Sequence, residues 1–131
     1  MTTLLDPWTH AREIAQRLRH QSARLIVVLG AESWCEKCRT FRPVFDASAS
    51  NAGPHDVWLW LDMEDHAEFI GPFLPPGLPM LLAYEGNQLT RAQVLDHQGT
   101  ALDGVLADGR AQAGLADPGI LTRIVREDWA P

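Results

Sequence analysis

Two short runs constrain the fold more than anything else in this chain. Residues 25–29 read LIVVL and residues 57–61 read VWLWL, with no polar side chain at any position. A strand with one wet face alternates apolar and polar residues, because successive side chains point to opposite sides of the sheet. A run that is apolar throughout needs cover on both faces. Both runs are therefore expected as central strands, with helices packed above and below. Gly30 closes the first run, and the turn-rich stretch SNAGPH (50–55) precedes the second.

The remaining segments supply that cover. Asp6-Pro7 reads as an N-cap followed by proline at the first helical position, opening a helix to residue 20. Trp8, Ala11, Ile14, Ala15 and Leu18 recur along it at helical spacing. Phe41, Val44 and Phe45 share one face of a second helix, which Pro43 is expected to interrupt and kink. A short helix is expected near residues 64–70. Residues 71–79 (GPFLPPGLP) then carry four prolines and read as a stiff, extended connection. Residues 80–84 and 89–95 form a hairpin of strands about the turn at 85–88. Asp117-Pro118 repeats the opening device, and Ile120, Leu121, Ile124 and Val125 mark a last helix ending near Trp129. The order implies an α/β fold: a mixed sheet of about four strands with helices on both faces. Residues 1–131 show no repeat or dividing linker and read as one domain.

Composition narrows the class of function. With 131 residues, 46% hydrophobic and 21% charged, the chain has enough apolar surface for a core and is not of disordered type. No apolar run approaches the roughly 18 residues of a membrane span. The opening residues lack the basic patch and apolar stretch of a secretory leader, so a cytoplasmic protein without membrane attachment is expected. Seventeen acidic against eleven basic residues leave a net charge of −6, which disfavours nucleic acid as a partner.

The two cysteines, Cys35 and Cys38, stand where the first apolar strand gives way to a helix. At a helix N-terminus, unpaired N–H groups and the helix dipole stabilise a thiolate, which makes Cys35 the candidate nucleophile. Cys38, one turn on, faces the same side and is the candidate resolving cysteine. A zinc half-site, a structural disulfide or coincidence would leave this strand-to-helix placement unexplained. A closed zinc site also needs about four ligands, and there is no second pair, so no metal site is expected.

At this point the sequence resembles the thioredoxin family over most of its length. Trp34-Cys35-Glu36-Lys37-Cys38 is similar to the family's WCxxC. Pro43 matches its helix proline, and Gly77-Leu78-Pro79 followed by Met80–Tyr84 resembles its cis-proline loop and strand. The resemblance implies a thioredoxin fold and thiol–disulfide exchange with disulfide-containing protein substrates. It implies that Trp34, Leu78 and Pro79 form the substrate-binding surface, that Pro79 is cis, and that the Leu78 backbone pairs with an extended substrate strand. Electrons would come from a separate reductase or a partner dithiol, with no bound cofactor. Residues 96–114 would then be an insertion beyond the family core.

The departures are specific. Family members carry a buried acid before the first cysteine; counting back gives Leu29, or Val28 if Ser33 is an inserted residue. The partnering lysine position holds Trp58. Loss of both together is coherent, since either charge alone would be costly to bury. Glu32 is near enough in sequence to carry a proton for Cys38, although a solvent-exposed carboxylate is the simpler reading. Between the cysteines, Glu36 and Lys37 tune the redox pair in opposite directions. His10, His20, His55, His66 and His97 have no ligand spacing and are read as surface residues. The alternative to an oxidoreductase is a binding or assembly module on the same fold, with a non-catalytic or regulatory dithiol.

Overall fold

The computed structural model describes residues 5–53, 55–95 and 116–126. The segment 96–114 and the last residues of the expected terminal helix lie outside them. Three helices, four strands and a final helical turn follow in the order α1 (Ala11–Leu18), β1 (Arg24–Gly30), α2 (Glu36–Ala49), β2 (Asp56–Asp62), α3 (Ala67–Ile70), β3 (Met80–Glu85), β4 (Gln88–Val94) and α4 (Ile120–Ile124). The strands form one mixed sheet in the order β2-β1-β3-β4. β1 runs parallel to β2 and antiparallel to β3, and β4 returns antiparallel to β3.

Both apolar runs are covered on both faces, as their patterns require, but only β1 is central: β2, expected as a second central strand, stands at the edge of the sheet among the described residues. Leu25, Val27 and Leu29 of β1 point to one side with Val57, Leu59 and Leu61 of β2, under Ile14, Phe69, Ile120 and Ile124 of the helices. Ile26 and Val28 point to the other side with Trp58 and Trp60, under Cys38, Phe41 and Phe45 of α2. One sheet thus carries two cores built from alternate residues.

Three expected boundaries move. Asp6-Pro7 opens a turn, and α1 begins four residues later: the Asp6 carboxylate accepts the Trp8 N–H (2.8 Å) and the Asp6 carbonyl accepts the His10 N–H (2.8 Å). The second helix is not interrupted at Pro43, whose exposed ring lies within a helix that runs from Glu36 to Ala49. Asp117 does not cap α4 from the expected place: Gly119, at φ 82°, is the N-cap, and the helix ends at Ile124. The Asp117 carboxylate instead accepts the Gly119 N–H (2.8 Å) and the buried Tyr84 hydroxyl (2.6 Å), tying this segment to the sheet. Burial, followed by this bond, holds the Tyr84 phenol well above its ordinary ionisation range.

Among the described residues no helix is long and apolar enough to cross a membrane.

Candidate active site

The end of β1 sets the site. After Gly30 the chain leaves the sheet through Ala31–Trp34 and enters α2 at Cys35, the N-cap residue, in extended conformation (φ −111°, ψ 106°). The Cys35 sulfur takes the role of a capping oxygen and accepts the Cys38 N–H at 3.2 Å. Cys35 and Cys38 are joined in a disulfide, with Cα atoms 5.3 Å apart. The two sulfurs are not equivalent. Cys35 is partly exposed, whereas Cys38 is 0% exposed and sits in the α2-side core.

Other elements bring apolar surface to the same end. Leu29 pairs with Met80, so the Leu78–Pro79 peptide, which is cis, lies where the dithiol loop departs from β1. Pro79 is buried, and Leu78 is half-buried against both cores. Trp34 is 63% exposed, unusual for an indole, and Leu74 in the proline-rich connection is 83% exposed. Glu36 and Lys37 are exposed on the first turn of α2.

A polar clasp that the sequence reading missed holds the loop in place. The carboxylate of Asp62, at the end of β2, accepts N–H groups from Glu32 (3.1 Å), Glu64 (2.9 Å) and Asp65 (3.4 Å). Burial pushes this carboxyl up, but the three backbone bonds outweigh it and hold it below the usual carboxylate range. Ser33, the residue that reads as inserted, donates its hydroxyl to the Glu64 carboxylate. Arg42 of α2 pairs with Glu32 (2.6 Å) and Asp46 (2.9 Å) and lies 5.0 Å over the Trp60 ring. Arg39 donates to the Glu32 carbonyl (2.7 Å). Glu32 is therefore exposed and engaged with an arginine. A cleft of about 420 Å³ opens beside this clasp, between Glu32, Arg42, Trp60 and Asp62.

Two of the histidines read as surface residues have a structural task. In Asp6–His10 and again in Asp62–His66, the Asp N–H donates to Nδ1 of the histidine four residues on (2.9 Å each). Each histidine stands at the N-cap position of a helix, α1 or α3, with its ring turned back to the aspartate N–H and making no capping bond to the helix. The repeated D-x-x-x-H spacing before a helix was the available signal. Burial lowers the His66 pKa below its ordinary 6.5, against the opposing pull of Asp6, Asp65 and Asp62. His20 and His55 are exposed and stack on each other at 3.7 Å, and His97 lies outside the described residues.

The positions of the absent charged pair are apolar in space as well as in sequence. Val28, Trp58 and Trp60 pack in one cluster with Cys38, and Leu29 points to the opposite face. The Trp60 ring fills the space above Gly30 so closely that a Cβ there would fall inside it. The indole N–H groups of Trp58 and Trp60 are buried without a hydrogen-bond partner among the described residues. Among those residues, no three His, Cys, Asp or Glu side chains are grouped to hold a metal ion.

A CxxC at the start of the helix after the first central strand, with a cis-proline leading into an antiparallel neighbour of that strand, defines a thioredoxin-fold protein. No family model and no curated protein sequence matches the chain. Solved structures do. The N21Q thioredoxin of Halobacterium salinarum NRC-1 superposes with a TM-score of 0.54 at 16% identity, covering 76% of this chain and 83% of that one. Oxidised thioredoxin O2 of Arabidopsis thaliana gives 0.50 at 22% identity, covering 69% and 80%. A structure described as DsbH oxidoreductase gives 0.55 at 13% identity, covering 82% and 85%. At such identities the likeness establishes the fold.

Proposed function

We propose that this protein is a thiol–disulfide oxidoreductase that exchanges disulfides with protein substrates through Cys35 and Cys38. The observation that carries the reading is the asymmetry of the pair. One sulfur is accessible at a helix N-cap, and the other is buried one turn on, already within bonding distance of the first. In the reduced protein the Cys35 thiolate attacks a substrate disulfide and forms a mixed disulfide, releasing one substrate thiol. Cys38 then attacks Cys35, the mixed disulfide breaks, and the second substrate thiol leaves. The substrate gains two electrons and the protein is left as the Cys35–Cys38 disulfide.

Trp34, Leu78 and Pro79 are proposed to receive the substrate backbone around the sulfurs, and Glu36 and Lys37 to tune the pair by opposed charges. Exchange needs only sulfur and protons at the site. The cycle closes when a separate reductase or partner dithiol reduces the disulfide again. The thioredoxin and oxidoreductase descriptions of the structural neighbours support this reading.

The test is reduction of a disulfide-containing protein by an external dithiol, with the chain in catalytic amount. Wild type is expected to accelerate the reaction, and Cys35→Ser to fall to the uncatalysed rate. Equal rates for the two would favour a binding or assembly module with a silent dithiol.

A further inference from the structure

Cys38 has to ionise before it can displace a substrate from Cys35, and its surroundings make that difficult. Its cluster comprises Ile26 and Val28 from β1, Trp58 and Trp60 from β2, and Leu81 and Ala83 from β3, with Phe41, Phe45 and Ala49 from its own helix and Leu95 after β4. None of these carries a group that accepts a proton. The charged side chains nearest along α2 do not compensate. Glu36, Lys37 and Arg39 are exposed, and Arg42 is engaged by Glu32 and Asp46. Asp62, beyond the loop, is filled by three N–H groups. Arg91 of β4, in register with Ala83 on this face, is buried and donates to the Gln93 side chain (3.2 Å). Removing a proton from a thiol in such a medium, with no base beside it among the described residues, is strongly disfavoured.

We infer that resolution by Cys38 is the slow half of the exchange, so that the mixed disulfide between Cys35 and a protein substrate is a long-lived state released by rising pH. The inference rests on the function proposed above and specifies how that site is regulated. In the mixed disulfide, Cys35 is bonded to one substrate sulfur while Cys38 keeps its proton. Release requires that proton to pass to water or hydroxide. The Cys38 sulfur then bonds to Cys35, and the Cys35–substrate bond breaks. Its electron pair leaves on the substrate sulfur, which takes up a proton. Because the reactive form is the rare thiolate, its amount rises about tenfold per pH unit until ionisation is complete. A protein of this kind holds its substrate covalently before releasing it.

The experiment uses the reduced chain and one equivalent of an aromatic disulfide whose two halves each become coloured when freed. The first release reports attack by Cys35 and the second reports resolution by Cys38. At about pH 7 the second phase is expected to be on the order of 100-fold slower than the first, rising about tenfold per pH unit above that. Val28→Asp places a carboxylate in the Cys38 cluster and is expected to speed the second phase at neutral pH by at least about tenfold. Val28→Asn, of similar size but without a base, is expected to leave it slow. A second phase as fast as the first and flat with pH overturns this inference alone. An equal effect of the two Val28 variants does the same. Should Val28→Asp fail to fold, the wild-type pH dependence still decides. Absence of the first release overturns the reading of Cys35 as nucleophile, and this inference with it.

Discussion

The two faces of the sheet are built from alternate residues of the same strands, yet they treat polar groups in opposite ways. On the α1–α3–α4 side the buried Tyr84 hydroxyl and the half-buried Arg123 guanidinium are both answered. The Tyr84 hydroxyl reaches Asp117, and one Arg123 nitrogen donates to the carbonyls of Phe69, Ile70 and Pro118. On the α2 side two indole N–H groups are buried without acceptors, around a cysteine with no base beside it, among the described residues. A buried donor left unsatisfied costs about 1–3 kcal/mol. The contrast teaches where stability and chemistry reside. One face, covered by three helical elements, holds the fold together, while the other supports a reactive pair at the expense of ideal packing.

Three substitutions and one change of condition break or sharpen this comparison. The largest effect is expected from Phe69→Ala, which empties a fully buried aromatic site on the first face. It should lower unfolding free energy in denaturant by about 3–5 kcal/mol while the dithiol keeps its redox potential. A matching shift in potential would show that the faces are not separable. Next come Asp117→Ala and Trp58→Phe, measured side by side. The first strips the Tyr84 hydroxyl of its partner and should cost about 1–3 kcal/mol. The second removes a donor that has no acceptor, which offsets its lost volume, so a change within about 1 kcal/mol is expected.

The smallest effect is a dependence on pH at His66. Its pKa is lowered in the fold, first by burial, so the unfolded chain binds more protons once the pH falls below the ordinary 6.5. Its contribution is complete above 6.5 and is lost as the pH falls through the folded value. Protonation would also place a hydrogen on Nδ1, which accepts the Asp62 N–H. Denaturant titrations should show this loss in wild type and a flatter profile in His66→Asn.

Much of this was legible in the sequence, and the failures have a common cause. An unbroken apolar run needs cover on both faces, so β1 and β2 were readable as doubly covered strands from residue types alone; that β2 is an edge strand among the described residues was not, because helix cover hides the faces of a strand whatever its place in the order. The cysteine pair was readable because its spacing and its place after a strand are local facts. The two Asp-Pro pairs misled because an aspartate that accepts the N–H two residues on can open a turn as well as cap a helix, and both Asp6 and Asp117 make that bond. The choice between the two depends on His10 and Tyr84, which no local pattern reveals. The clasp at Asp62 was hidden for the same reason. Glu32 is brought to Asp62, and Ser33 to Glu64, by the parallel pairing of β1 with β2, which joins residues some thirty positions apart in sequence.

The fit of Trp60 over Gly30 has a bearing on how such a chain can change. Any side chain at position 30 would have to displace the indole ring, and a smaller residue at position 60 would leave a void above the glycine. The two sites are therefore open to substitution in one order only. Position 60 must shrink before position 30 can grow, and the intermediate bears the cavity.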